Sequence, residues 1–164
     1  MSLLGELTFF LGLQVSQSEK GIFISQNKYI KEMLKNFRME ESKPISTPLV
    51  TGCKLRKDDE SLEVYHTMYR SIIGSLLYVT TTRLDVVQTV GLVSRFQSGP
   101  KETHVAAVKI ILRYLKGTVD YGLWYPKINS FTLREFTDVD WVGSIDNRKS
   151  TSRAAFYLGY SLVS

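Results

Sequence analysis

The sequence predicts an α+β protein whose helices and strands occupy separate parts of the chain. Two observations support this. Apolar residues recur with a helical period between about residues 27 and 117, and β-prone runs separated by turn-forming residues lie at both ends. The expected order is an N-terminal β-hairpin, a central bundle of about four helices and a C-terminal β-meander, a segregated arrangement that one or two domains would both fit.

The N-terminal hairpin is predicted from the β-prone residues 8–15, the turn "SQSEKG" and the short strand "IFIS". Phe10 and Leu11 are bulky, and Gly12 would let another backbone or a ligand come close. The local sequence favours the other interpretation, in which this glycine serves packing in the core. The helix "NKYIKEMLKNF" follows, with its lysines off the apolar stripe and Ser25 as its expected N-cap.

The centre of the chain begins with a stretch rich in proline, serine and charged residues, "MEESKPISTPLVTGCKLRKDDESLE", which predicts a loop or linker. Three further helices are expected from "YHTMYRSIIGSLLYVTTT", "LDVVQTVGLVSRF" and "KETHVAAVKIILRYLKG". The last one places Lys109, Arg113 and Lys116 on one face. Such a stripe can follow a phosphate backbone, but taken alone it is more typical of a solvated helix face.

The C-terminal meander is predicted from "YGLWYP", "FTLREFTDVDWVG", "TSRAAFYLG" and "YSLVS". Asp138 and Asp140 are two residues apart, so they lie on the same face of an extended strand. Carboxylate oxygens are the ligands that Mg²⁺ prefers, yet Asp146 is the only acid that follows them. The sequence therefore leaves two interpretations open, an incomplete metal site and a polar strand face wetted by water.

Composition narrows the functional classes. The chain has 164 residues, 43% of them hydrophobic, and a net charge of +5, which is compatible with a globular protein that binds nucleic acid. Cys53 is the only cysteine and lies at no metal-ligand spacing from His66 or His104. No signal peptide, membrane-length apolar run, P-loop or dinucleotide fingerprint is present, so an intracellular protein without a membrane partner is expected.

Several motifs occur together in one order: "GELTFFLGLQV", "GIFISQNKYIKEMLKNF", "KPISTPL", "YRSIIGSLLYVTTTRLD", "ILRYLKGTVDYGLWY", "FTDVDWVGSIDNRKSTS" and "AFYLGYSLVS". Together they resemble part of the polyprotein of copia-type long-terminal-repeat retrotransposons. The resemblance implies that residues 1–50 are the end of a reverse transcriptase palm and the start of its thumb. Residues 51–125 would be the helical thumb and connection region, and residues 126–164 the first strands of a truncated, incomplete ribonuclease H-like sheet.

The resemblance also assigns roles to single residues. The hairpin at Phe10, Leu11 and Gly12 is similar to the primer grip, which holds the 3′ end of the growing strand. The helix with Lys109, Arg113 and Lys116 would lie near the template–primer duplex. Asp138, which follows Thr137, matches the first metal-binding aspartate of ribonuclease H domains. Asp140 matches the second aspartate of the family's "DxDW" pattern, for which no catalytic role is implied.

For the intact parent protein, the resemblance implies RNA-directed DNA polymerisation and ribonuclease H activity with Mg²⁺ held by Asp138 and Asp140. The family's Tyr-x-Asp-Asp motif belongs upstream of "GELTFFLG", and the remaining ribonuclease H acids belong downstream of "LVSW". This chain is therefore expected to be catalytically inactive, with no cofactor of its own.

Two other hypotheses remain open. One is a residual nucleic-acid-binding module that binds an RNA–DNA hybrid or a DNA duplex weakly. The other is a metal-dependent hydrolase of unrelated fold that uses Asp138 and Asp140. The chain also departs from the family at two positions: Leu84 stands where proline is usual, and Arg153 stands where glycine is usual.

Overall fold

The computed structural model describes residues 7–49, 55–57, 60–127, 132–140, 151–159 and 161–162. Its strands are β1 (Phe9–Phe10), β2 (Leu13–Ser18), β3 (Gly21–Ser25), β4 (Gly122–Pro126), β5 (Leu133–Asp140), β6 (Thr151–Leu158) and β7 (Ser161–Leu162). Its α-helices are α1 (Asn27–Asn36), α2 (His66–Val79), α3 (Val87–Ser94) and α4 (Glu102–Gly117), and a single 3₁₀ turn, Leu84–Val86, leads into α3. The α+β prediction, with four central helices between β-rich ends, is confirmed.

The described strands form two antiparallel sheets. One has the order β1-β2-β3-β4, so the strand that follows the helices joins the N-terminal strands, and the other has the order β5-β6-β7. The chain divides into a strand-rich unit, Met1–Ile24 with Leu123–Ser164, and a helical unit, Ser25–Gly122. These are units of packing. The predicted division into regions 1–50, 51–125 and 126–164 concerns correspondence with polyprotein domains, and it stays a prediction.

The helical unit contains the hydrophobic core of the described residues. Helix α1 contributes Ile30, Met33 and Leu34, as its sequence stripe predicts, and α4 contributes an inward face along its length. For "YHTMYRSIIGSLLYVTTT" the sequence predicts one apolar face that includes Tyr65, Met68 and Leu77, but these three residues are exposed, so the inward face of α2 is narrower. The buried members of the core are Ile30, Met33, Leu34, Met39, Tyr69, Ile72, Ile73, Leu76, Val79, Val86, Val90, Val93, Phe96, Ala107, Val108, Ile111, Leu112, Tyr114 and Leu115.

A buried arginine connects the turn that follows α2 to the end of α4. Arg83, in the motif "TTTRLD", is 1% exposed. Its Nε and Nη2 donate to the Asp85 carboxylate at 2.9 and 2.7 Å, and its Nη1 donates to the Thr118 carbonyl at 2.8 Å. The Tyr114 hydroxyl donates to Asp85 at 2.8 Å. These bonds fix the turn after α2 to the end of α4. They also pair the buried guanidinium charge, which would destabilise the fold if it had no partner.

Two local predictions for the start of α1 and the first strand are wrong. Gln26, not Ser25, is the N-cap residue of α1, and no side chain caps the helix. Gln26 is instead buried, accepting from the Thr82 hydroxyl at 2.7 Å and donating to the Tyr78 carbonyl at 3.2 Å. The β-prone run 8–15 is not one strand either, because the chain reverses between Phe10 and Leu13. Propensity identified the strands but missed the turn between them.

Candidate nucleic-acid interface

The tip of the first hairpin is a two-residue turn made by Leu11 and Gly12. Phe9 pairs with Gln14, and Phe10 pairs with Leu13. Leu11 has φ 48° and Gly12 has φ 82°, so both central residues lie in the left-handed region that a type I′ turn requires. Glycine adopts this conformation freely, whereas leucine does so at a cost of about 1 kcal/mol. Gly12 therefore serves the turn, and the interpretation as a core-packing glycine is wrong.

The same tip exposes bulky apolar side chains. Phe9 is 53% exposed, Phe10 is 54% exposed and Leu11 is 78% exposed. A turn position that would suit asparagine or glycine thus carries a large apolar side chain that contacts solvent. Backbone strain combined with apolar exposure is a reason to look for a function at this position. The sequence marked Phe10, Leu11 and Gly12 as candidates, and the structure brings the three together at one turn.

The three cations predicted to form a stripe on α4 differ in their surroundings. Lys109 is exposed. The Nε of Arg113 donates to the carbonyl of Lys43 at 2.6 Å. The Nζ of Lys116 donates to the carbonyl of Ser42 at 2.8 Å and also to that of Glu40. We call residues 40–43 the strap. Two of the three candidate cations therefore donate hydrogen bonds to the backbone of the strap, a role that no feature of their sequence pattern indicates.

The candidate aspartates lie in β5, which pairs with β6 in antiparallel register. Asp138 is opposite Arg153, and Asp140 is opposite Thr151. Alternate positions of a strand share a face, so the backbone confirms that the two aspartate positions are on one side of the sheet. Their side chains lie outside what the structure describes, as do Cys53 and Asp146, so the metal site stays a prediction. Within the described ranges, no group of three or more metal-ligating side chains occurs.

A groove that the sequence analysis missed lies on the same sheet. It has a volume of about 360 Å³ and is lined by Arg134, Phe136, Ala155, Tyr157 and Gly159. The rings of Phe136 and Tyr157 meet edge to face with centroids 5.6 Å apart. Arg134, Phe136 and Asp138 are each two positions apart along β5, so these three positions lie on one face of the strand. No pattern of burial along this strand marks the groove, because residues 132–137 are all exposed.

The shifted pKa values of the described residues belong to structural contacts. Burial acts to raise the pKa of Asp85, but the hydrogen bonds from Arg83 and Tyr114 and the charge of Arg83 outweigh it and hold the pKa below its ordinary value. Burial raises the pKa of Tyr69 and Tyr125, and burial together with the bond to Asp85 raises that of Tyr114. These groups support the fold, and they do not mark a catalytic site in the described part of the chain. In that part, no helix has the length and apolar character needed to cross a membrane.

Comparison with known proteins identifies close relatives over nearly the whole chain. It is 37% identical over 159 residues to the retrovirus-related Pol polyprotein from transposon RE1 of Arabidopsis thaliana, a match that covers 97% of this chain and 11% of the polyprotein. It is 37% identical over 170 residues to the Pol polyprotein from transposon TNT 1-94 of Nicotiana tabacum, covering 98% of this chain and 13% of that protein.

A shorter relative also matches nearly the whole chain. An uncharacterized mitochondrial protein of Arabidopsis thaliana is 35% identical over 162 residues, covering 98% of this chain and 67% of that protein. No family model and no solved structure matches the chain. The chain thus spans 11% of the first of these polyproteins and two thirds of a much shorter protein.

Proposed function

Because the chain belongs to the family of retrovirus-related Pol polyproteins from copia-type transposons, we propose that it carries the nucleic-acid-holding part of a reverse transcriptase. It would extend from the end of the palm, through the thumb and connection, to the first strands of ribonuclease H. The order of motifs along the chain and the similarity over 97% of its length support this proposal. In the whole polyprotein the activity would be RNA-directed DNA polymerisation with cleavage of the RNA strand.

The observation that carries the proposal is the hairpin tip. Phe10 and Leu11 are exposed at a turn whose backbone disfavours leucine. Exposed apolar and aromatic side chains offer a surface on which sugars and bases of a nucleic acid can pack. A two-residue turn holds that surface rigidly, because the register of the hairpin is fixed by paired residues on both sides. This arrangement suits the role of a primer grip, which positions a strand end without reacting with it.

Mg²⁺ belongs, in this proposal, to the intact parent protein. Asp138 and Asp140 would hold it, since two carboxylates on one strand face are the donor chemistry that this ion prefers. A bound Mg²⁺ would stabilise charge during phosphodiester cleavage. What these residues contribute is a stiff strand that fixes the spacing of the two carboxylates.

We also propose that these residues alone neither extend a primer nor cut a hybrid. The sequence has no Tyr-x-Asp-Asp motif, and Asp138 is followed by only two further acids, Asp140 and Asp146. Two-metal catalysis needs several carboxylates around the ions. Binding of an RNA–DNA hybrid or a DNA duplex is then the activity left to the chain, and it would be weak.

The test measures binding and catalysis on one sample. A fluorescent 20-base-pair RNA–DNA hybrid is titrated with the chain at low salt, and primer extension and hybrid cleavage are assayed with Mg²⁺. We expect binding without catalysis. The variant Phe10→Ala with Leu11→Ala should bind about tenfold more weakly, which corresponds to about 1.4 kcal/mol.

The matched control is Leu62→Ala with Tyr65→Ala, because both residues are 71% exposed and lie away from the hairpin in the sequence. Equal losses in the two variants would contradict the role of the tip. Primer extension by the chain would disprove its inactivity. Cleavage that depends on Asp138 would favour the metal-dependent hydrolase instead.

A further inference from the structure

Helix α1 has a basic face that the sequence analysis left unassigned. Resting on the proposed function, we propose that Lys31, Lys35 and Arg38 form the surface that contacts the phosphate backbone of a nucleic-acid duplex. In the same proposal, Arg113 and Lys116 of α4 have a structural role, because they donate hydrogen bonds to the backbone of the strap. The proposal therefore places phosphate binding on α1, whereas the family resemblance implied that the helix with Lys109, Arg113 and Lys116 lies near the duplex.

The geometry of α1 separates an apolar side from a charged side. Ile30, Met33 and Leu34 are 0%, 3% and 4% exposed and face the core. Lys31 and Lys35 are exposed and four residues apart, so they lie one turn apart on the opposite side of the helix. Their charges therefore point away from the core, at a surface that a partner can reach.

Arg38 extends the basic face past the end of the helix. It follows the C-cap residue Phe37, has φ 56° and is exposed. Its backbone N–H donates to the carbonyl of Lys35 at 3.0 Å, which ties the position of Arg38 to the last turn of α1. Glu32 is the only acid between residues 27 and 38. This short segment therefore carries an excess of positive charge in a chain whose net charge is +5.

The cations of α4 are engaged differently. The carbonyls of Glu40, Ser42 and Lys43 accept hydrogen bonds from Lys116 and Arg113. These carbonyls follow α1, where the chain has no helical hydrogen bonds of its own to satisfy them. A phosphate would have to compete with the strap for the two cations. The strap carbonyls accept from Arg113 and Lys116 and not from Lys31 or Lys35, so a phosphate that binds Lys31 and Lys35 displaces none of these bonds.

The spacing of the α1 cations fits a duplex. Lys31 and Lys35 are four residues apart within α1, which corresponds to about 6 Å along the helix axis. One strand of a duplex places a phosphate about every 3.4 Å along its axis. The two helical cations thus span about two consecutive phosphates, and Arg38 lies beyond the end of the helix. Lys28 also lies on this side but is left out, because it already has an interaction within the chain.

The structural alternative is a solvated face whose cations favour the C-terminal end of the helix dipole. Lys35 is in the last turn, where a positive charge is stabilising. If this alternative is correct, removing these three charges leaves duplex binding unchanged. The salt dependence of binding separates the two explanations, because each phosphate contact contributes about one counterion to the slope.

The experiment uses the whole chain and the labelled 20-base-pair RNA–DNA hybrid at several salt concentrations. The variant is Lys31→Gln with Lys35→Gln and Arg38→Gln, since glutamine removes the charge and has a helix propensity close to that of lysine. The control is Lys20→Gln with Lys57→Gln and Arg95→Gln, which removes the same charge from exposed positions elsewhere. Circular dichroism checks that both variants remain folded.

We expect the slope of log affinity against log salt to fall by about three in the α1 variant and to change by less than one in the control. Equal changes in the two variants would overturn the α1 proposal and leave the binding function standing. A wild-type chain that does not bind the hybrid at low salt would overturn the binding function itself, so the two failures are distinguishable.

Discussion

The two packing units of the molecule differ in burial, because the buried hydrophobic core of the described residues lies in the helical unit. In the helical unit, Ser25–Gly122, the side chains of all four helices meet in a common core, and the buried charge of Arg83 is paired. In the strand-rich unit, Met1–Ile24 with Leu123–Ser164, large apolar side chains such as Phe10, Leu11, Leu133 and Phe136 are exposed. The helical unit also exposes apolar side chains, such as Leu62 and Tyr65, but it has a buried core as well.

This difference distinguishes two motifs of the sequence by their burial and hydrogen bonding. The motif "TTTRLD" is explained by hydrogen bonds inside the helical unit. The motif "FFLG" forms a turn whose apolar side chains are exposed. Similarity to a family does not by itself tell these cases apart, but burial and hydrogen bonding do.

Asp85→Ala should have the largest effect and is confined to the helical unit. It removes the partner of Arg83, which is 1% exposed, and leaves an unpaired charge in the interior. We expect the free energy of unfolding to fall by about 3 kcal/mol, the lower end for a broken buried pair because Asp85 is 36% exposed. The measurement is urea denaturation followed by the helical circular dichroism signal.

The control is Asp120→Ala, which removes an exposed aspartate of the same unit that accepts one bond from Asn27. It should cost less than 1 kcal/mol. Similar losses for both variants would contradict the importance of the buried pair.

The pH dependence of the free energy of unfolding adds a second check. The pKa of Asp85 is lowered, so its contribution is present above its unfolded pKa of about 3.9 and is lost as the pH falls through the folded pKa. The stabilities of wild type and Asp85→Ala should converge there.

Gly21→Ala should disrupt the strand-rich unit. A Cβ at this position would lie 2.3 Å from the carbonyl oxygen of Tyr125 and 2.9 Å from the Cα of Pro126, and backbone atoms cannot move aside cheaply. We expect a loss of about 2 kcal/mol. Trp124 lies in β4 of this unit, so tryptophan fluorescence reports on it.

The matched control for that change is Gly74→Ala. No atom lies within 4 Å of a Cβ placed there, and alanine favours the helix by up to about 1 kcal/mol. We expect the control to stabilise α2. A Gly21→Ala chain with unchanged tryptophan fluorescence and unchanged unfolding would show that β3 and β4 do not approach as closely as described.

Tyr69→Phe should have a smaller effect on the helical core. The Tyr69 hydroxyl donates to the carbonyl of Val93 at 2.8 Å, and the ring is fully buried. Removing the hydroxyl leaves that carbonyl without this donor and should cost about 1 kcal/mol. Thermal unfolding followed by circular dichroism measures it. A variant as stable as the wild type would indicate that water reaches the carbonyl.

Leu11→Asn should have the smallest effect and the opposite sign. Asparagine tolerates the left-handed conformation that Leu11 adopts at φ 48°, so the hairpin should gain about 0.5 kcal/mol. The same change removes an apolar side chain from the tip, so hybrid binding should weaken. A variant that is more stable and binds equally well would show that the leucine has no part in binding.

The sequence predicted much of the fold, because periodic burial is a local property. The apolar stripe of α1 is buried as its period predicts, and strands β5 and β6 lie in the β-prone runs that predicted them. It could not predict the turn at Leu11, because leucine is a poor residue for that conformation and propensity argued for a continuous strand. It could not predict the strap either, since hydrogen bonds to backbone carbonyls leave no mark on the residues that accept them.

The strap has a consequence for how the chain folds during synthesis. The bond from Arg113 to the Lys43 carbonyl joins residues 70 positions apart, and the bond from Lys116 to Ser42 joins residues 74 positions apart. Contacts of this separation form slowly, because a long loop must close before they can act. On a ribosome, α1 and the strap would emerge well before α4. The strap therefore lacks these hydrogen bonds until most of the helical unit has been made.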